Sequence, residues 1–169
     1  TSPSKHVEVA AGEILITTTA ATASVGNVFL QGFQTIRSNI RVLPSQGNIG
    51  SVTVNTDCEG ATLYGSVILA TSATVGLPVY GSMGNFVFRG ISMIVGSISI
   101  VPGGGAIGTV SIGALPCSSE GIEMTGSISI SSSALTSGQL GAVSLDGFEV
   151  VFGTISLTPN GVPFSSVSI

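Results

Sequence analysis

The chain has 169 residues, of which 7% are charged, and a formal net charge of -4. Four basic residues cannot form the cationic surface that neutralises phosphates, so nucleic acid is not an expected partner. The mean hydropathy of +0.66 is high, but no apolar run approaches the roughly 18 residues of a spanning helix, so we expect no membrane span.

The chain begins with a segment, residues 1–25, that contains two short alternating runs. Val7 and Val9 form the first run, and Ile14 and Ile16 form the second. Alternation of β-branched residues with polar ones is typical of strands with one solvated face. We therefore predict that this segment is extended.

The rest of the chain repeats. Residues 26–54, 84–112 and 141–169 align without a gap, at offsets of 58 and 57. Proline sets φ at the entry to a turn, and glycine allows φ > 0, so matched glycines and prolines predict turns at the same place in each copy. These turn positions are Gly26, Gly84, Gly141, Pro44, Pro102 and Pro159.

Short runs between these turns alternate apolar residues with serine or threonine, which predicts strands. The predicted strands of the first two copies are residues 27–31, 39–43, 51–54, 66–69, 85–89, 97–101, 109–112 and 127–131. Gly32, Gly90 and Gly147 interrupt extended runs at matched positions. A glycine inside a strand indicates a bulge or a bend.

The repeat predicts one all-β domain with about twelve short strands. Its parts are repeat 1 (26–83), repeat 2 (84–140) and the first half of repeat 3 (141–169), each repeat being about 57 residues long. Segment 1–25 is similar in pattern to the second half of repeat 2. We therefore expect it to supply the missing half of repeat 3.

Twelve strands in three repeats resemble the β-prism and β-trefoil folds, which close a pseudo-threefold array by pairing the terminal strands. A sandwich-like arrangement also fits. The linear alternative is a short β-solenoid.

The N-terminal segment can complete repeat 3 in two ways. It folds back on its own chain, giving a closed monomer, or it pairs with a neighbouring subunit, giving a head-to-tail filament. The low charge favours the second, because little electrostatic repulsion keeps copies apart. In this respect the chain resembles the donor-strand subunits of secreted pili and biofilm fibres, which implies strand exchange through Val7, Val9, Ile14 and Ile16.

Few residues suggest chemistry. Cys58 and Cys117 occupy matched positions, and a disulfide between them would contribute about 4 kcal/mol. Equivalent sites around a threefold lie a third of a turn apart, so the sequence leaves this bond open. His6 is the sole histidine, and no nucleophile accompanies it. We assign no catalytic, cofactor-binding or metal-binding residue, and expect no cofactor.

The favoured interpretation is a non-enzymatic, self-assembling structural protein, secreted or on the cell surface, whose partner is itself. The alternative is a lectin-like, carbohydrate-binding module with pseudo-threefold symmetry. A third hypothesis is adsorption to ice or another surface through a flat threonine and serine face.

Overall fold

The computed structural model describes residues 7–9, 12–18, 23–44, 47–56, 60–71, 81–114, 121–131, 140–160 and 162–169. These residues form seventeen strands and no helix. Every ladder between the strands is parallel. The fold is a β-solenoid of about five turns.

The strands are short, and they follow one another with few residues between them. In chain order they are β1 (Val7–Val9), β2 (Glu13–Thr17), β3 (Val28–Ile36), β4 (Asn39–Leu43), β5 (Val52–Thr56), β6 (Ala61–Leu63), β7 (Ser66–Ala70), β8 (Phe86–Arg89), β9 (Ile91–Ile94), β10 (Ser97–Val101), β11 (Val110–Gly113), β12 (Ile122–Met124), β13 (Ser127–Ser131), β14 (Val143–Asp146), β15 (Phe148–Val151), β16 (Thr154–Thr158) and β17 (Val167–Ser168).

The chain passes through three columns of stacked strands in each layer. Column A contains β1, the second half of β3, β6, β9, β12 and β15, and column B contains β2, β4, β7, β10, β13 and β16. Column C contains the first half of β3, β5, β8, β11, β14 and β17. We number the layers 1 to 6 from β1 to β17, so that layer 6 consists of β15, β16 and β17.

Alternation along each strand builds the core. Successive side chains point to opposite faces of a strand, so one set in every column faces the solenoid axis. In column B of the inner layers, these inward residues are Ile40, Val67, Ile98 and Ile128, all fully buried. All eight strands predicted in the first two repeats are confirmed.

Glycines make two of the three corners. At the corner between columns A and B, a β-carbon on Gly96 would lie 1.7 Å from the Gly65 carbonyl oxygen of the layer before, so no side chain fits. At the corner between column C and the next column A, Gly32, Gly90 and Gly147 have φ of 77°, 82° and 78°. Gly32 lies at a register shift inside β3, whereas Gly90 and Gly147 separate two strands. Residues with a β-carbon rarely adopt this region of φ.

Polar side chains satisfy backbone groups at the corners. Asn27 Oδ1 accepts a hydrogen bond of 2.9 Å from the Ser51 backbone N–H of the next layer. Asn85 Oδ1 accepts the same bond, at 2.9 Å, from the Thr109 N–H. Both bonds are exposed to solvent, and each joins two successive layers where the strand ladders are interrupted.

The closed pseudo-threefold array is wrong, and the solenoid alternative is confirmed. Each repeat of about 57 residues corresponds to two layers, since Val28, Phe86 and Val143 all begin column C strands in alternate layers. The connection from column B to column C explains the two-layer period. It is short at 44–48, 102–106 and 159–163, and longer at 18–24, 71–82 and 132–139.

The N-terminal segment does not complete the C-terminal repeat of its own chain. β1 pairs with β3, and β2 pairs with β4, so both lie in layer 1. β2 and β16 form opposite edges of the six-stranded sheet. With strands about 4.8 Å apart, these edges are separated by roughly 24 Å, and a linear stack cannot bring them together.

Candidate functional site

At the layer 6 end of the solenoid, side chains are exposed at positions whose equivalents in the inner layers are buried. Val151 is 45% exposed, whereas Met124 of the same row in column A is fully buried. Val167 is 48% exposed, whereas its column C partner Val143 is 1% exposed. The apolar residues of this end, which we call the C-terminal end surface, are Val151, Phe152, Ile155, Leu157, Val167 and Ile169.

Two of these side chains reach furthest into solvent. Ile169 is 72% exposed, and Phe152 is 77% exposed in a corner row whose Tyr64 and Val95 are exposed in the inner layers as well. A phenylalanine that is fully buried contributes roughly 1.5–3 kcal/mol relative to an exposed one. This end therefore gains free energy from any surface that covers it.

At the opposite end, column B is open among the described residues. Ile14 and Ile16 of β2 face the core but are half-buried, while Val25 and Val28 of the same layer are buried. We call Ile14, Ile16 and the free edge of β2 the N-terminal end surface.

The two ends also carry unpaired strand edges. Among the described strands, β16 has a neighbour only on the side of β13, and β2 has one only on the side of β4. The backbone N–H and C=O groups on the outer side of such an edge are a template for a further strand.

Column B carries a flat array of hydroxyl groups on its outer side. Its strands β7, β10, β13 and β16 contain no charged residue. Ser66 and Ser97 are linked by a hydrogen bond of 2.9 Å between their Oγ atoms. The hydroxyl face consists of Ser66, Ser97, Ser99, Ser127, Ser129, Ser131, Thr154, Ser156 and Thr158.

Two surface recesses lie outside these features. A groove of about 770 Å³ follows the corner between columns B and C, lined by Met83, Asn85 and Phe164 among others. A recess of about 270 Å³ on column A is lined by Glu123 and Glu149. Among the described residues, no group of three or more His, Cys, Asp or Glu is placed to hold a metal ion.

The structure places the predicted turn positions at corners. Pro44, Pro102 and Pro159 directly follow β4, β10 and β16, where column B ends. Gly26, Gly84 and Gly141 directly follow the single-residue bridges that precede column C.

The predicted strand-exchange residues divide between the first two strands. Val7 and Val9 lie in β1, where only the backbone pairing is described, and Ile14 and Ile16 lie in β2. Cys58, Cys117 and His6 lie outside the described residues, so the disulfide remains a prediction.

Sequence reasoning missed the C-terminal end surface, and it predicted a threonine and serine face without locating the hydroxyl face in column B. The second had a visible signal in the matched serine-rich runs at residues 97–101, 127–131 and 154–158. The first had none, because the residues exposed in layer 6 repeat the pattern of residues that inner layers bury.

Comparison of the chain with protein-family models, with curated proteins and with solved structures finds no match. In the part of the chain that the structure describes, no helix has the length and apolar character to cross a membrane. Function must therefore be argued from the surfaces themselves.

Proposed function

We propose that the protein is a self-assembling structural subunit of an extracellular filament or surface layer, which polymerises by β-strand complementation at the ends of the solenoid. The C-terminal end surface carries this proposal. Its residues other than Phe152 occupy the rows that form the core elsewhere, and they lie beside an unpaired strand edge.

Burial and backbone pairing would act together at such an end. Covering Val151, Phe152 and Ile169 removes apolar surface from water, at roughly 25 cal/mol per Å². A strand added to β16 would at the same time pair N–H and C=O groups that the edge leaves open. Since only 7% of residues are charged, electrostatic repulsion opposes the approach of copies only weakly.

The secreted or cell-surface location is part of the same proposal. A surface of hydroxyls and small apolar groups gives little colloidal repulsion, which suits a protein that functions as a polymer. Fractionation of the native source tests this location: recovery of the chain only from the soluble cell interior contradicts it.

Light scattering after size-exclusion chromatography at two concentrations tests self-assembly. We expect a monomer of 16.7 kDa at the lower concentration and larger species at the higher one, with filaments in electron micrographs. Leu157→Lys, which puts a charge on the C-terminal end surface, should abolish the larger species. The matched control Ser156→Lys, on the outer side of the same strand, should retain them. A monomer at every concentration contradicts the proposal.

The hydroxyl face supports a second candidate, adsorption to ice. On β13 and β16 its hydroxyls repeat roughly every 6.6 Å along the strand and about every 4.8 Å between layers, and no charged residue lies on this face. A regular hydroxyl lattice suits a partner that is itself a lattice of oxygen atoms. Thermal hysteresis that is lost in Ser129→Lys and kept in Leu157→Lys would establish this function, and no hysteresis in the parent chain excludes it.

The lectin-like alternative no longer has a structural observation in its favour. It was based on a closed pseudo-threefold array, and the chain forms a linear stack. Glycan binding remains a prediction that a glycan array can test.

A further inference from the structure

We propose that the partner of the C-terminal end surface is layer 1 of a second copy, stacked head to tail so that β2 of one copy extends column B beyond β16 of the other. This inference rests on the proposed self-assembly and names its partner and register. The joint continues the layer-to-layer packing that holds each chain together.

Continuing the register of column B gives an apolar match at the joint. Ile128 pairs with Ile155, and Ile130 pairs with Leu157, at the last step within the chain. The first step pairs Ile14 with Ile40 and Ile16 with Val42. Continuing the same rows across the joint places Ile14 next to Ile155 and Ile16 next to Leu157.

The direction of the strands selects a head-to-tail contact over a symmetric one. All ladders of the described strands are parallel, and a second copy in the same orientation adds another parallel strand. A two-fold contact between two C-terminal end surfaces would instead place β16 antiparallel to its counterpart. A heterologous contact leaves a new open end after each addition, and it therefore propagates.

Charge does not oppose this joint. β16 has no charged residue, and the register places Thr154 next to Glu13. Glu13 Oε1 already accepts a hydrogen bond of 3.1 Å from Arg41 Nη1. Like charges therefore do not meet between the two strands.

An independent observation comes from Gly26. The same row holds Gly50, Gly84 and Gly108 in the next three layers. A β-carbon added at any of these three would lie 2.8 Å from the carbonyl carbon of the glycine of this row in the preceding layer. At Gly26 itself, an added β-carbon would meet nothing within 4 Å.

Among the described residues, therefore, no contact requires glycine at position 26. A layer stacked beneath it, such as layer 6 of a second copy, supplies the contact that makes glycine the fitting residue. Layer 6 carries Ser165 in this row, and among the described residues no layer packs beyond it.

Complementary end variants test the joint. Ile16→Lys blocks the N-terminal end surface, and Leu157→Lys blocks the other. We expect each variant alone to be monomeric, and their equimolar mixture to stop at a 1:1 complex of twice the 16.7 kDa chain mass. Leu15→Lys and Ser156→Lys, on the outer sides of the same strands, are the matched controls and should assemble like the parent. Circular dichroism verifies that each variant is folded.

The other outcomes are distinct. Dimers of Ile16→Lys alone would mean a symmetric contact between C-terminal ends, which overturns this inference and leaves self-assembly standing. Assembly of both variants alone, to the extent of the parent chain, would place the joint elsewhere and also overturns it. A parent chain that stays monomeric overturns the inference together with the proposed function.

A second pair of variants tests the joint without adding charge. Gly26→Ala should leave the denaturation midpoint of the monomer unchanged and raise the concentration needed for assembly at least tenfold. Gly84→Ala should lower that midpoint, because its β-carbon meets the preceding layer within the chain. Unchanged assembly by Gly26→Ala would show that no second copy packs against this row.

Discussion

The inner layers and layer 6 carry similar apolar residues in the same rows, but these residues are more exposed in layer 6. Leu69 and Leu157 occupy one row of column B. Leu69, which has a layer on each side, is 2% exposed, and Leu157, which has a layer on one side, is half-buried. Stability in this fold therefore comes from contacts between neighbouring layers, as is general for solenoids.

The largest expected effect is at the glycine corner. Gly96→Ala should destabilise the chain by about 3 kcal/mol or more, because its β-carbon would lie 1.7 Å from a carbonyl oxygen and layers on both sides prevent relief. Gly153→Ala makes the same 1.7 Å clash, but layer 6 can move away, so we expect about 1 kcal/mol. Urea denaturation at monomeric concentrations measures both. Equal losses would show that layer 6 is held as firmly as the inner layers.

The two leucines give the next effect. Leu69→Ala should cost about 2–5 kcal/mol, because it leaves a cavity in a closed core. Leu157→Ala should cost roughly half as much, since water already reaches that side chain. The same denaturation experiment compares them. A larger loss for Leu157→Ala would mean that the end of the solenoid is covered in the monomer.

A buried hydroxyl tests the polar contacts between inner layers. Thr71 Oγ1 donates a hydrogen bond of 2.8 Å to the Gly81 carbonyl oxygen and accepts one of 2.7 Å from the Gly103 N–H. Thr71→Val leaves both backbone groups without this partner, and we expect a loss of about 1–3 kcal/mol. Thr71→Ser, which keeps the hydroxyl, is the control. A valine variant as stable as the parent would show that other groups satisfy Gly81 and Gly103.

The smallest effect is expected at the surface ion pair of layers 1 and 2. Glu13 and Arg41 are 3.1 Å apart, with side chains 38% and 40% exposed. Glu13→Gln should change stability by less than about 1 kcal/mol, because solvent screens exposed pairs. The difference from the parent should shrink further in 1 M salt. A larger loss that persists in salt would indicate that layer 1 depends on this pair.

Strand positions and the bends at Gly32, Gly90 and Gly147 were predictable from the sequence. Alternation and glycine act locally, so a single strand carries its own signal. The repeat of about 57 residues was interpreted as one unit of a closed array, whereas it spans two layers. Long and short connections from column B to column C alternate, so the sequence aligns best with itself at every second layer. A threonine and serine face was predicted, and its serine runs also indicate its place in column B, whereas the C-terminal end surface has no local signal.

By itself, the sequence determined that the chain is all-β, where most strands lie, and which side chain of each strand faces the core. Only the tertiary structure decided that the layers stack in a line and that β2 and β16 lie at opposite edges. The physical reason is that alternation specifies the two faces of one strand, whereas neighbouring strands pair through backbone N–H and C=O groups. Nearly every residue carries these groups, so they do not specify which strand pairs with which.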